Sequence, residues 1–248
     1  YSVVLVNDSF YFFDSRRRLT LMNGFNARIV NTSFDKTIQQ FEKVDDALAD
    51  YCTVIGKNWV VFNFPDASRT LVYDLNGPAT QYWAEWSAWF KPDAIRKRFF
   101  ANNFVYAKFI NKHLIGSYQT GKVLELSETA YDDDGTEIHF LKRTGHIDYE
   151  APYNLKISYE IIVRMLSGIG LQQDTNAKAT ARIRWRDNGD TSWSNYVDID
   201  LSNIGNTQFL KNITQNGSYY TRQYEIVFTD NSSFVMGKSY ERVDINEF

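Results

Sequence analysis

The chain has little of what catalytic and metal-binding proteins are usually built on. It has one cysteine, so an internal disulfide framework and a cysteine metal site are excluded. The three histidines, His113, His139 and His146, stand on separate segments without H-x-x-x-H spacing, which points away from a histidine metal centre. No apolar run approaches the roughly 20 residues that a membrane-spanning helix needs. Neither sign of charge dominates: the net charge is −3, so no overall basic field steers the chain to nucleic acid or an anionic membrane. There is no G-x-S-x-G elbow, no Walker loop and no dinucleotide fingerprint. Accordingly no catalytic, cofactor-binding or metal-binding residue is assigned, and no cofactor is expected. Thirteen Gly and four Pro are too few for a disordered chain.

What the chain has is aromatics. Phe, Tyr and Trp make up 16% of it, which favours sheet over helix, because flat rings pack well on pleated surfaces. The run from Gly56 to Trp89 holds three strand patterns. Val60, Phe62 and Phe64 alternate with Trp59, Val61 and Asn63; Leu71, Tyr73 and Leu75 alternate with Thr70, Val72 and Asp74; Tyr82, Ala84 and Trp86 alternate with Trp83 and Glu85. Turns at Pro65-Asp66-Ala67-Ser68 and Asn76-Gly77-Pro78 separate them. A meander this aromatic is expected to pack both faces on other sheets.

Upstream, Val3–Val6, Phe10–Phe13 and Leu19–Leu21 read as strands. Arg16-Arg17-Arg18 reads as a solvated turn, since three charges are a weak nucleic-acid footprint. The first residues run straight into a strand with no initiator Met and no signal-peptide pattern. The expectation is a piece of a longer polypeptide, or a processed one. From Asp35 to Tyr51 the period changes. Ile38, Phe41, Val44 or Asp45, Leu48 and Tyr51 recur every three to four residues and predict an amphipathic helix at about 35–51, with Asp35 as N-cap and Glu42, Asp45, Asp46 and Asp50 on its solvated face. After the meander, Lys91, Arg96, Lys97 and Arg98 form a short basic connection. Phe104–Phe109, Leu114–Ser117 and Val123–Leu126 follow as strands.

Leu19, Leu71 and Leu124 recur just after a polar turn, at intervals near 50 residues, the signature of propeller blades. Two or three blades cannot close a ring, so further blades would lie upstream. At Tyr131-Asp132-Asp133-Asp134-Gly135 the pattern changes. The acidic residues lack the alternate-position spacing of a calcium loop and read as a turn that opens a second domain. Candidate strands there are Glu137–Arg143, Leu155–Leu166, Ala179–Arg186, Tyr196–Leu201, Arg222–Thr229 and Phe234–Asn246. Leu155, Ile157, Tyr159, Ile161 and Val163 face one way, with Lys156, Ser158, Glu160, Ile162 and Arg164 opposite. Asp187, Gly189 and Trp193 follow the order of an Asp-box hairpin, with the Trp one residue late. The fold expected is mainly β: partial β-propeller blades with one short helix over 1–130, then an antiparallel β-sandwich or jelly-roll-like domain over 131–248.

Phe64-Pro65, Thr70-Leu71-Val72-Tyr73-Asp74-Leu75 and Trp83-Ala84-Glu85-Trp86-Ser87-Ala88-Trp89, in that order after the predicted helix, resemble the tail accessory factor (packaged DNA stabilization protein) family of short-tailed bacteriophages. Gly116 to Leu126 resembles that family's G-x-x-x-x-G-x-x-x-x-L hairpin, Tyr131 to Gly135 its Y-x-D-x-G turn, and Trp185 to Trp193 its S-x-D-x-G-x-x-W segment. The departures are a longer 76–81 loop, and Arg186 with one inserted residue in the last motif. The resemblance covers about residues 35–248. It implies a non-enzymatic virion protein that assembles in the bacterial cytoplasm. Such proteins form a ring, usually of six copies, below the portal protein, close the DNA channel and hold the tail needle or tailspike. The competing expectation is a glycan-binding or glycan-degrading tail protein, motivated by Trp83, Trp86 and Trp89, by the Asp-box-like turn and by a supply of carboxylates from which a fold could pair two.

Overall fold

The computed structural model describes residues 3–30, 34–54, 56–76, 83–90, 95–165, 178–201, 210–214 and 216–246. They form a mainly β protein of several antiparallel sheets with one short helix. The chain divides into two compact units, Tyr1–Ala130 and Tyr131–Phe248.

In the first unit, β1 (Val3–Val6), β2 (Ser9–Phe13), β3 (Leu19–Asn23) and β4 (Asn26–Ile29) form a meander in the order β1-β2-β3-β4. Helix α1 (Asp35–Gln39) follows. Next come β5 (Leu48–Val54), β6 (Lys57–Phe64), β7 (Arg69–Asp74) and β8 (Trp83–Glu85), a second four-stranded meander. Strands β9 (Ser87–Phe90) and β10 (Ile95–Arg98) pair with each other. The sheet of β11 (Ala101–Ala107), β12 (Lys112–Ser117) and β13 (Val123–Glu125) is again a meander. Leu19, Leu71 and Leu124 fall on the third strand of each meander, so the repeat in the sequence marks equivalent places in three sheets.

The three sheets stack through the middle one. Val60, Phe62 and Phe64 of β6 and Leu71 of β7 pack on Val6 and Leu19 of the first sheet. Phe13 meets the rings of Phe62 and Phe64 at 4.7 and 5.5 Å. The alternate residues go the other way: Val61, Val72 and Cys52 pack with Phe99, Phe104 and Ile115 against the third sheet. Trp86 stacks on Phe99 at 4.3 Å there and contacts Trp59, so its role is packing. The side chains of Trp83 and Trp89 lie outside the described residues. Asn63, buried on this side, donates to the Ala101 carbonyl at 3.2 Å. It accepts the Thr70 hydroxyl at 2.6 Å, and Thr70 in turn accepts the Phe99 N–H at 3.0 Å.

The helix expected at about 35–51 is much shorter, Asp35–Gln39, and its cap is Phe34 rather than Asp35. Ile38, Phe41, Val44 and Tyr51 of the predicted period do turn inward. But the Arg17 guanidinium takes the carbonyls of Gln39 (3.3 Å), Phe41 and Glu42 (3.3 Å), which ends the helix, and the edge of β6 draws residues 48–54 into β5. Two of the carboxylates placed on the helix's solvated face are used structurally. Asp46 accepts the Asp66 N–H at 2.7 Å, and Asp50 the Phe104 N–H at 2.8 Å. Arg17 and Arg18 are likewise not solvated turn residues. Arg18 pairs with Asp14 at 2.7–2.9 Å. The basic connection at 91–98 ends in a strand, β10. There Arg98 is buried, its guanidinium 3.7 Å above the Tyr118 ring.

The second unit is a two-sheet sandwich. After a small hairpin of β14 (Asp132–Asp133) and β15 (Thr136–Glu137), one sheet holds β16 (Phe140–Arg143), β17 (Lys156–Arg164) belongs to the other, and β18 (Thr180–Asp187), β19 (Val197–Asp200), β20 (Leu210–Thr214), β21 (Ser218–Tyr219), β22 (Arg222–Phe228) and β23 (Tyr240–Ile245) complete the two. The first sheet runs β16-β22-β18-β19. In the second, β17 pairs with β20, β21 and β23. Ile161 and Val163 pack between the sheets on Ala181, Ile183, Ile199, Ile226 and Phe228.

The alternation expected along 155–164 breaks inside β17. The register with β23 shifts between Ser158 and Glu160, so Tyr159 is an extra residue and the faces exchange there. Before the bulge Lys156 and Ser158 are buried; after it Ile161 and Val163 are. Lys156 tolerates burial because its ammonium reaches three carbonyls, those of Ala151, Asn154 (2.9 Å) and Tyr220 (2.8 Å).

Candidate functional surfaces

Among the described residues, no sheet covers one face of the first meander. Cross-strand partners share a face, so Leu5, Phe10, Met22 and Ala27 form one row, and Val3, Phe12, Thr20 and Ile29 the next. Val4, Val6, Tyr11, Phe13 and Leu19 point the other way, into the core. Apart from buried Thr20, the outward rows are apolar, and much of them is open. Val3 is 53% exposed, Leu5 55%, Phe10 39% and Ile29 46%, and Phe25 in the adjoining turn is fully exposed. The alternation that builds the inner core therefore also builds an outer face of the same character.

Two cavities among the described residues carry titratable groups. The larger, about 610 Å³, lies where β5 meets β11 and β12. Its lining carries no carboxylate; Tyr51, Cys52, Tyr106 and His113 are its titratable groups. Burial, reinforced by Asp50, pushes the Cys52 thiol up to about 12, so it is not a nucleophile at neutral pH. His113 packs on the Tyr106 ring at 4.8 Å. The smaller cavity, about 200 Å³, opens in the second unit between apolar walls that include Ile161, Ile183 and Met236, with Glu241 as its one carboxylate. Glu241 accepts the hydroxyls of Tyr149 and Tyr219, both at 2.7 Å, and faces Arg222 at 3.6 Å. Burial and Glu241 push both tyrosines above their ordinary range. Buried Arg222 grips Asp187 with two bonds of 2.6 and 2.8 Å.

The Asp-box-like residues are thus structural at one end and exposed to other uses at the other. Asp187 anchors Arg222. Asn188 and Gly189 take the turn at φ of 55° and 74°, a conformation that suits glycine. Trp193 lies against arginines of the sheet. The acidic run at 132–134 forms a hairpin, with Gly135 donating to Asp132 at 2.9 Å. Burial and the neighbouring Asp132 raise Asp133 to about 7. His139 sits 3.8 Å from Glu137, and His146 is exposed elsewhere. No three His, Cys, Asp or Glu groups gather as a metal site among the described residues. Sequence reading found the turn but missed its arginine neighbours, although the R-x-R-x-R alternation of Arg182, Arg184 and Arg186 is visible in the chain.

No known protein family matches the chain, and no characterised protein matches it in sequence. Among solved structures it has a distant likeness to a glycoside hydrolase family 43 arabinoxylan arabinofuranohydrolase from Bacillus subtilis, in complex with cellotetraose. The identity is 12% over 98% of this chain and 52% of that one, with a TM-score of 0.24. The chain spans about half the length of that enzyme, and a likeness this distant says nothing of its activity.

Proposed function

We propose that the protein is a non-enzymatic structural part of a short phage or prophage tail. It assembles as a ring beneath the portal, closes the DNA channel and holds the tail needle or spikes. The observation that carries this reading is the open apolar face of the first meander. A stack of three sheets whose middle member is covered on both sides, and whose first member ends on Val3, Leu5 and Phe10, has a surface fit for a further sheet. The ordered motifs that resemble the tail accessory family supply the biological setting. Ring closure would follow from heterologous contacts related by rotation.

The test is direct. The protein is mixed with purified portal complexes and imaged by electron microscopy. A ring seated under the portal is expected. Portals that stay bare at saturating protein would refute the proposal.

A further inference from the structure

The outer face of the β16-β22-β18-β19 sheet carries a lattice of arginines. Ala181 and Ile183 of β18 turn into the core, so Arg182, Arg184 and Arg186 turn outward. Arg143 of β16 joins them across β22, opposite Glu225. At a strand rise of about 3.4 Å per residue, the three β18 arginines stand about 7 Å apart.

This lattice is fixed by its own neighbours. Buried Glu225 accepts Arg143 Nε, Arg184 Nε at 2.7 Å and the Tyr196 hydroxyl at 2.9 Å. Arg186 donates to Gln223 at 2.7 Å, and Arg182 to Thr229 at 3.4 Å. The Trp193 ring centre lies 5.5, 5.0 and 4.8 Å from the guanidinium carbons of Arg143, Arg184 and Arg186. Asp198, opposite Arg182 on β19, is the other acid in register with the row. Four guanidinium groups thus share two carboxylates, on a chain whose net charge is −3.

We propose that this face binds an acidic polysaccharide, with the carboxylates of its uronic-acid units on the guanidinium groups of Arg143, Arg182, Arg184 and Arg186. Four points favour that occupant. First, these cations are all arginine, whose planar fork pairs with a carboxylate through two parallel bonds, as lysine cannot. Second, the groups are held in place before the partner arrives, so little side-chain freedom is lost on binding. Third, the indole beside them offers an apolar surface for the face of a sugar ring. Fourth, capture of nucleic acid rests on a broad basic field that neutralises many phosphates, and a chain of negative net charge has none.

The experiment is calorimetric titration of the full chain with a defined oligogalacturonate, its carboxyl-reduced neutral counterpart and a single-stranded oligothymidylate of matched charge. Binding to the uronate alone, or far more tightly than to the other two, is expected. Arg186→Gln and Arg182→Gln should each weaken it about tenfold, the loss of one charged hydrogen-bonded contact. Arg186→Lys, which keeps the charge but loses the fork, should weaken it nearly as much. Arg182 is exposed, so its variant keeps the fold whatever Arg186→Gln does, as melting curves will show. No binding, equal binding of the neutral sugar, tighter binding of the oligothymidylate, or unchanged affinity in folded variants would each overturn the proposal.

Discussion

Thr70 shows how much of the first unit depends on small polar groups that the alternation pattern cannot rank. Its hydroxyl links Asn63 of β6 to the Phe99 N–H, so the middle sheet is tied to the next one inside a buried layer. Thr70→Val keeps the shape and removes the hydroxyl. The Asn63 Oδ1 and the Phe99 amide would lose their partner, and urea denaturation should show a loss of about 2–3 kcal/mol. Two carboxylates of the second unit respond to pH in opposite senses. In Glu225, burial raises the pKa, but hydrogen bonds from Arg143, Tyr196 and Arg184 outweigh it and hold the group below its ordinary 4.5. Its contribution is present above that value and is lost as the pH falls through the folded value. Asp133 is raised from 3.8 to about 7 by burial and by Asp132, so the folded state holds its proton more tightly than the unfolded chain does. Its ionisation therefore erodes stability as the pH rises from 3.8 through 7. Asp133→Asn should melt higher than the wild type above pH 7, an advantage that disappears toward pH 3.8. Equal melting shifts at both ends would contradict this. The long-range pairings were not legible in the sequence, because Glu225 meets Arg143 across 82 residues and Asn63 meets Ala101 across 38.

The strands themselves were far more legible than their partners. Val60, Phe62 and Phe64 pack on one neighbour and Val61 on the other, as a run apolar on both faces requires. Leu19, Leu71 and Leu124 mark third strands in three sheets. The errors came where a period had more than one physical source. Phe41 and Val44 return to the core at a helical interval through turns beyond the end of the helix. In β17 one extra residue exchanged the faces, which no count of apolar residues reveals. β20 and β21 were missed because Leu210–Thr214 and Ser218–Tyr219 are short, and Asn and Ser among them read as turn residues. The two faces of β6 can be probed separately. Phe62→Ala, toward the first sheet, should cost about 3–5 kcal/mol. Val61→Thr, toward the third, should cost about 1–3 kcal/mol through its buried hydroxyl. Either variant leaving the denaturation midpoint unmoved would mean that its face is not packed.

Across the molecule, apolar residues serve one core in the second unit and two layers in the first, and among those left in the open Val3, Leu5, Phe10 and Ile29 gather on one face of the first meander. That face is the part of the proposed assembly surface that the sequence held in plain view, since Val3, Leu5 and Phe10 obey the same alternation as their buried neighbours. Alternation alone could not say which of the two faces would be left uncovered. The second unit presents a different surface, ordered arginines around a buried glutamate, and the two surfaces call for different partners. The assembly account turns on whether the open meander face becomes buried. Hydroxyl-radical footprinting read by mass spectrometry, on the protein alone and on the protein assembled with portal complexes, measures that. Strong protection of Leu5, Phe10 and Met22 is predicted, with exposed Tyr153 of the second unit labelled equally in both. A ring that forms with those three side chains still fully labelled would contradict the account.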